Sequence, residues 1–205
     1  MEAKKFKYFL QPEKYAYVLE KKEECDICHK IAKCFDGSTY YGEEEYNAFC
    51  FECVSNGRLE EVNAFGVDPD ARALRNQLIE KYPLLSKDEI ENKLQEKTKE
   101  LSFTTPKFPT WQDFFWPAHC GDYCEFIKLA GQADYNELAP NRNGKEFFKN
   151  TLYYNLQDTD IDAVWNDLKK NSVKGIVNDN DNWSPMAYIF KCLNCGEYIT
   201  IWDCD

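Results

Sequence analysis

The chain contains few histidines and no long apolar run. Only two of its 205 residues are His, which excludes a catalytic metal site built mainly from imidazole ligands. No run of about 18 uninterrupted apolar residues occurs, so a membrane-spanning helix is not expected. The charged N-terminus is not followed by an apolar run of signal-peptide length, and no lipidation signal is present. We therefore expect a cytoplasmic protein without a membrane anchor.

The motifs of several enzyme classes are also missing. The chain has no Gly-x-Gly-x-x-Gly, no Walker sequence and no Gly-x-Ser-x-Gly, so nucleotide-binding and α/β-hydrolase functions lack local support. Acidic runs such as Glu43-Glu44-Glu45 are typical of a solvated surface rather than of an acid–base pair. We expect no catalytic residue.

Basic residues are outnumbered by acidic ones. Lys and Arg number 25 against 36 Asp and Glu, which gives a formal net charge of −11. Such a chain repels phosphate backbones, which disfavours nucleic acid as a ligand and favours a basic protein partner. Asp179, Asp181 and Asp205 are candidates for an acidic binding face. The chain is 43% hydrophobic and long enough to bury a core, so we expect a folded protein.

Ten cysteines stand out against this background. In a reducing compartment, Cys-x-x-Cys pairs indicate metal or redox chemistry more often than disulfides. Cys25, Cys28, Cys50 and Cys53 form the pattern Cys-x2-Cys-x21-Cys-x2-Cys. Two pairs spaced in this way complete a tetrahedral shell of thiolates around Zn²⁺. Because no coordination position stays open, this first site is predicted to be structural.

The residues around the first site favour a treble-clef arrangement. Turn residues and Tyr40-Tyr41 between the two pairs predict a hairpin, and residues 54–59 predict a short helix. The N-terminus of that helix would stabilise the last two thiolates. We interpret His29 as a bystander and Cys34 as a packed thiol.

A third pair, Cys192 and Cys195, predicts a second zinc knuckle between strands at residues 187–190 and 198–202. The knuckle needs two more ligands, and the candidates are His119, Cys120, Cys124 and Cys204. We choose Cys120 and Cys124, because residues four apart lie on one face of a helix. His119 and Cys204 are the rival ligands. The sequence therefore predicts one zinc ion at the first site and allows a second here.

Two other interpretations of Cys120 and Cys124 stay open. Both thiols could be small buried hydrophobic groups, as free cysteine often is. Alternatively, Cys120 could be a nucleophile beside His119 or Asp122. Adjacent helical residues point about 100° apart, which disfavours His119 as its base.

Helix signals dominate the middle of the chain. Asp68-Pro69 begins one predicted helix that Pro83 ends, and the capping box at residues 86–89 begins another that reaches Leu101. Further helices are predicted at residues 111–116, 120–130, 144–156 and 160–170, and a strand at residues 5–10. The aromatic residues Trp111, Phe114, Phe115 and Trp116 indicate core packing, or a protein-binding patch if they are exposed.

Together these signals predict an α+β fold with treble-clef or zinc-ribbon-like four-cysteine knuckles near both ends and a central helical region. Residues 1–66 form a cysteine-rich zinc-binding region. Residues 67–205 form a helical region that closes with a zinc-knuckle β-hairpin. We expect the two regions to form one compact unit.

With these motifs in hand, the chain resembles the CbrC family, named for a colicin-tolerance protein. The resemblance rests on short sequences in a fixed order: Phe6-Lys7-Tyr8, Cys25 with Cys28, Cys50-Phe51-Glu52-Cys53 leading to Asn56-Gly57, Pro109-Thr110-Trp111-Gln112, His119-Cys120-Gly121-Asp122, and Tyr188 to Gly196. It implies a bacterial cytosolic protein without established enzyme activity, linked to toxin tolerance, with relatives that serve as immunity proteins.

The leading hypothesis is a zinc-stabilised, non-enzymatic protein that binds another protein, such as a basic toxin domain. Immunity proteins against nucleases are commonly acidic because they cover a basic cleft, which fits the net charge. The alternative is an enzyme or small-ligand protein that uses Cys120 and the second metal region. The sequence does not identify the partner-binding residues.

Overall fold

The computed structural model describes residues 6–154, 159–176 and 184–205, which form a mixed α+β fold with small sheets. The helices of this part of the chain are α1 (Pro12–Tyr15), α2 (Phe51–Ser55), α3 (Ala71–Lys81), α4 (Lys87–Thr104), α5 (Gln132–Leu138), α6 (Gly144–Asn150) and α7 (Ile161–Asp167). None of them combines the length and apolar character that a bilayer crossing requires.

The strands are mostly short. They are β1 (Glu23–Glu24), β2 (Ile31–Ala32), β3 (Cys34–Asp36), β4 (Ala48–Cys50), β5 (Asp68–Pro69), β6 (Phe115–Trp116), β7 (Ala118–His119), β8 (Asp122–Tyr123), β9 (Glu125–Ala130), β10 (Met186–Lys191) and β11 (Tyr198–Asp203). Antiparallel hairpins join β1 to β2, β3 to β4 and β7 to β8, whereas β5 and β6 pair in parallel.

A three-stranded antiparallel sheet has β10 in the middle, between β9 and β11. Alternate side chains of a strand point to opposite faces, and β10 is apolar on both. Tyr188 and Phe190 enter a large aromatic core, whereas Ala187 and Ile189 enter a smaller core that α5, α6 and α7 cover. The sheet is therefore the wall between two hydrophobic cores.

Aromatic rings fill the larger core. The ring centroids of Phe108 and Phe126 are 4.6 Å apart, and those of Phe9 and Phe126 are 4.8 Å apart. Leu74 of α3 and Leu101 of α4 are fully buried in the same core. Its members come from both sides of the predicted division between residues 66 and 67.

Local capping explains where the two central helices begin. Ser86 and Glu89 form the predicted capping box at the start of α4, which confirms that signal. The first residue of α3 differs from the prediction, because Asp70 rather than Asp68 caps it: its Oδ1 accepts the Ala73 N–H at 2.9 Å. Asp68 and Pro69 directly precede this cap and form β5.

The predicted helices at residues 111–116 and 120–130 are wrong. Those residues form β6, β8 and β9 with the turns around them, because β9 pairs along the buried strand β10. Backbone pairing in the core here overrides the local helical pattern. The strands predicted at residues 187–190 and 198–202 are confirmed as parts of β10 and β11.

The remaining predicted elements are shorter than expected. The helix predicted at residues 160–170 is confirmed as α7, which Asp160 caps. The helix predicted at residues 144–156 ends at Asn150, and its last two residues lie outside the described part. The predicted strand at residues 5–10 is reduced to a bridge between Phe9 and Phe126, and residue 5 is not described. Residues 179 and 181 of the predicted acidic face also lie outside the described residues.

Candidate metal centres

The first donor group consists of the four cysteines that the sequence predicts: Cys25, Cys28, Cys50 and Cys53. Their Sγ atoms all lie within 4.8 Å of one another, so one ion could contact all four. Cys25, Cys50 and Cys53 are buried, and Cys28 is half-buried. Four thiolates at this separation are the donor set that Zn²⁺ prefers in closed sites.

A tight turn between β1 and β2 carries the first two thiols. The Cys25 N–H donates to the Lys30 carbonyl at 3.1 Å, and the His29 N–H donates to the Cys25 carbonyl at 2.8 Å. The His29 ring is exposed and its Nδ1 lies 3.3 Å from Glu24 Oε1. His29 is therefore not one of the converging donors.

Cys50 ends β4 and caps α2, which sets the second pair. Its Sγ accepts the Cys53 N–H at 3.4 Å, and its own N–H donates to Cys25 Sγ at 3.2 Å. Burial raises the pKa of Cys25, but N–H donors led by Cys50 outweigh this and lower that pKa overall. The pKa of Cys53 is raised by burial and then by the thiols of Cys50 and Cys28. A cation among them would allow all four to be thiolates.

Two other residues lie beside this group without belonging to it. Arg58 donates to Cys53 Sγ at 3.4 Å and pairs with Glu61 at 2.7 Å. Sequence reasoning did not identify Arg58 as a partner of Cys53, although Arg58 lies only three residues after the end of α2. The Cys34 thiol donates to the Ala32 carbonyl at 3.4 Å, and burial, followed by the charges of nearby cysteines, raises its pKa to about 12. Cys34 is thus a neutral packed thiol.

The second donor group consists of His119, Cys120, Cys192 and Cys195. Their ligand atoms also lie within 4.8 Å of one another. Three of the four cysteines predicted for this site are therefore brought together. Cys124 is not among them, and the rival ligand His119 takes its place.

The backbone around Cys120 explains the difference. Cys120 and Gly121 have φ values of +55° and +76° and form the two-residue turn of the β7–β8 hairpin, so the helical spacing from Cys120 to Cys124 does not exist. Cys124 follows β8 and is fully buried in the aromatic core. Burial raises the pKa of its thiol, which keeps it neutral. The alternative of a buried small thiol describes Cys124.

The turn between β10 and β11 carries the other two thiols. The Cys192 N–H donates to the Glu197 carbonyl at 2.8 Å, and Gly196 has a φ of +78° that closes the turn. Cys192 Sγ accepts the N–H groups of Asn194 and Cys195 at 3.4 and 3.5 Å. Although burial raises the pKa of Cys192, these donors and His119 lower it to about 7.

His119 is oriented as a metal-binding histidine would be. Its Nδ1 lies 3.3 Å from Cys120 Sγ and 3.4 Å from Cys195 Sγ. On the opposite side of the ring, Nε2 lies 3.5 Å from Glu197 Oε2. A carboxylate on the second nitrogen fixes the ring and its tautomer in many metal sites. Sequence reasoning missed Glu197, although it follows Cys195 in the same turn.

Helix α3 holds the hairpin that carries His119 and Cys120. Gln77 links β7 to the turn: Nε2 donates to the Ala118 carbonyl at 2.8 Å, and Oε1 accepts the Gly121 N–H at 3.0 Å. Lys81 donates to the Cys120 carbonyl at 2.8 Å. Asn194 donates to that carbonyl at 3.2 Å, which ties the two turns of the second group together.

The two groups differ in exposure. Three of the four first-group thiols are buried, whereas Cys120 and Cys195 of the second group are exposed.

Cys204, the other rival ligand, belongs to neither group. Its carbonyl accepts a hydrogen bond from Gln112 at 2.9 Å.

Comparisons with known proteins cover nearly the whole chain. A family model described as "Uncharacterised protein family (UPF0167)" matches residues 3–204. The UPF0167 protein Mb2317 of Mycobacterium bovis and the UPF0167 protein MT2352 of Mycobacterium tuberculosis are each 23% identical over 199 residues, which cover 97% of this chain and 91% of the relative. No solved structure matches significantly. Both donor groups lie within the matched residues, and the chain belongs to the UPF0167 family.

Proposed function

We propose that the chain is a zinc protein whose two ions are structural. The observation that carries this proposal is the convergence of eight sulfur and nitrogen donors into two groups of four. Thiolates alone, or thiolates with one imidazole, are ligand sets that suit Zn²⁺ in closed tetrahedral sites. A filled shell leaves no position for a substrate, so the ions serve the fold.

The local order of elements supports a treble-clef assignment for the first site. A knuckle turn with Cys25 and Cys28 precedes the β3–β4 hairpin, and Cys50 then caps α2, which carries Cys53. The second site pairs two hairpin turns, as zinc ribbons do. It would join β7 and β8, held on α3, to the β10–β11 hairpin from a distant part of the chain. Closing so long a loop restricts the unfolded chain and stabilises the fold.

The biological role we propose is binding of another protein in the cytoplasm, as a toxin-tolerance or immunity protein without enzyme activity. The resemblance to the CbrC family supports this role, and so does the net charge of −11. The side chains of Glu43, Glu44 and Glu45 are exposed, so they are available to a basic partner. Surface charge of one sign speeds the encounter with a partner of the other.

Two exposed aromatic side chains are the contact that we propose for this partner. The aromatic group predicted at residues 111–116 divides: Trp116 is buried, whereas Trp111 and Phe115 are 41% and 59% exposed. Exposed aromatic residues are enriched among the residues that dominate protein interfaces. Asp113 lies between them in sequence and adds a negative charge to this loop.

A specific observation favours an enzyme as the second candidate. The exposed Cys120 thiol lies 3.3 Å from His119 Nδ1, the separation of a thiol and its base. The same nitrogen lies 3.4 Å from Cys195 Sγ, however, which is the geometry of several ligands around one point. Metal binding therefore explains more of the arrangement.

Native mass spectrometry of the protein purified without chelators tests the zinc proposal. We expect the mass of two zinc ions per chain, the loss of the second-site ion in Cys192→Ser, and two ions in the control Cys204→Ser. A cooperatively folded chain without metal would contradict the proposal.

Co-expression tests the binding role. The reading frame beside this gene in its genome is expressed as the candidate toxin, with and without this chain. We expect rescue of growth that Trp111→Ala with Phe115→Ala abolishes and that the control Leu84→Ala, at a residue 97% exposed elsewhere, retains. If the neighbour is not toxic, or if the double variant rescues fully, the proposed role or the proposed contact is wrong.

A further inference from the structure

The two donor groups present their sulfur atoms to solvent unequally. Cys25, Cys50 and Cys53 are buried, with exposures of 0%, 3% and 1%. In the second group Cys120 and Cys195 are both exposed. A dissolved oxidant can therefore reach two sulfurs of the second group directly, whereas the first group is largely shielded by the fold.

Hydrogen bonding separates the same two sulfurs from four of the others. Backbone N–H groups donate to Cys25 and Cys50, Arg58 donates to Cys53, and two N–H groups donate to Cys192. Within the described part of the chain, the only nitrogen in contact with Cys120 Sγ or Cys195 Sγ is His119 Nδ1. An N–H donor withdraws electron density from a thiolate, and among the described residues no backbone N–H or arginine donates to these two sulfurs.

The placement of Cys120 and Cys195 also allows them to react with each other. Both Sγ atoms contact one nitrogen, at 3.3 and 3.4 Å, and lie within 4.8 Å of one another. The hydrogen bond from Asn194 to the Cys120 carbonyl holds their two turns together without a metal. The sulfurs therefore need to move little to form a bond.

We propose that Cys120 and Cys195 form a peroxide-sensitive pair whose oxidation to a disulfide releases zinc from the second site while the first site keeps its ion. This inference rests on zinc occupying both sites. Hydrogen peroxide is the oxidant: the Cys120 thiolate attacks one oxygen, an S–O bond forms, the O–O bond breaks, and hydroxide leaves and becomes water.

The second step closes the pair. The Cys195 thiolate attacks the sulfur of the Cys120 sulfenic acid, an S–S bond forms, and the S–O bond breaks. The hydroxide that leaves takes up a proton. Two electrons pass from the two sulfurs to one peroxide, which is reduced to two waters. Cys192 and His119 then remain as two ligands, too few to retain the ion, and a dithiol reductant reverses the change.

The experiment uses the full chain after native mass spectrometry has counted its zinc. Hydrogen peroxide is added with pyridylazoresorcinol as the zinc indicator, and cysteine pairing is mapped by peptide mass spectrometry. We expect one ion to leave at least about tenfold faster than the other, together with a Cys120–Cys195 disulfide. Cys204→Ser should behave as the wild type, which excludes Cys204 as the resolving thiol.

The outcomes separate this inference from the proposed function. A chain that holds no zinc before peroxide is added overturns the proposed function as well. Two ions that leave together, or an early disulfide at another pair, overturn only the peroxide-sensitive pair. Because Cys120→Ser would also remove a zinc ligand, the time course of disulfide formation in the wild-type chain decides the question without that variant.

Discussion

At the scale of single residues, Asp203 is a buried carboxyl that holds a loop in place. Its Oδ2 accepts the backbone N–H groups of Trp111 and Gln112 at 2.8 and 3.1 Å, and Tyr188 donates to its Oδ1 at 2.8 Å. Burial raises its pKa to about 6, against the opposing effect of these donors. The folded protein thus retains a proton that the unfolded chain releases near pH 4.

The first prediction concerns the pH dependence that follows. A raised carboxyl pKa stabilises the fold most below about pH 4, and this contribution declines as pH rises to about 6. Asp203→Asn cannot ionise at this position. Its free energy of unfolding relative to that of the wild type should therefore rise, by up to about 2 kcal/mol, as the pH rises from about 5 to about 7. Urea unfolding of both proteins across this pH range measures the difference in the free energy of unfolding. Proton binding by the metal ligands is the same in both proteins and cancels in that difference. A constant difference, or one that also occurs in Asp205→Asn, would contradict the prediction.

The second prediction concerns Glu197. Because its carboxylate contacts His119 Nε2, Glu197→Ala should weaken zinc binding at the second site by about tenfold. Glu197→Gln keeps an oxygen acceptor and should recover part of the loss, whereas Glu45→Gln should change nothing. Competition with a zinc chelator measures the affinity. Equal affinities for all four proteins would show that Glu197 does not orient the ring.

Residue-level sequence reasoning succeeded where neighbours in sequence are neighbours in space. Cys25 with Cys28 and Cys50 with Cys53 needed only their own turns to converge. His119 could not be chosen over Cys124, because the choice depends on a positive φ at Cys120, and Gly121 is the sole local signal for such a turn.

At the scale of secondary structure elements, α5 begins in close contact with the segment that follows α7. The N–H groups of Gln132 and Ala133 donate to the carbonyls of Lys169 and Lys170 at 2.7 and 3.0 Å. The Asp134 carboxylate accepts the N–H groups of Gly131 and Val173 and pairs with Lys128. This contact fixes the smaller core against the sheet.

The third prediction tests that contact. A Cβ at Gly131 would lie 2.2 Å from the Asn171 carbonyl and 2.4 Å from that of Lys169, so backbone must move. We expect Gly131→Ala to destabilise the fold by about 2–4 kcal/mol. Gly175→Ala, whose nearest atom is 3.3 Å away, should cost clearly less in the same urea unfolding experiment. Equal costs would show that the close approach is easily relaxed.

Elements with capping signals at their own ends were predictable, as Ser86 and Asp160 show. The segment at residues 120–130 was not, because its strand state comes from pairing with β10, about sixty residues later in the sequence. The apolar residues of a short segment fit the periodicity of a helix and that of a strand equally well, so the segment cannot be assigned until its partner strand is known.

At the scale of the whole molecule, we expect metal to be part of folding. The fourth prediction concerns Cys50→Ser, which removes a buried donor of the first group. We expect this variant to be unfolded at ambient temperature and to show no cooperative melting transition by circular dichroism. Chelator treatment of the wild type should lower its melting temperature strongly, and zinc should restore it. Cys204→Ser is the control and should melt as the wild type does. A Cys50→Ser protein with an unchanged melting curve would contradict the prediction.

The mixed α+β class and the first donor group were readable from the sequence, and the arrangement of the cores was not. Phe9 bridges to Phe126, and Phe108 stacks on the same ring. Such contacts join parts of the chain that carry no mark of one another in their local patterns, so only the folded backbone reveals them.

The strand shared by both cores has a consequence for biosynthesis. Residues 186–191 are translated after nearly all the side chains they cover, including Phe9, Phe126 and those of α5. A nascent polypeptide emerging from the ribosome exposes its aromatic rings until this late strand arrives and both compartments close. The order of translation therefore leaves the core side chains of the nascent chain exposed for longer than in a protein whose middle strand is made first.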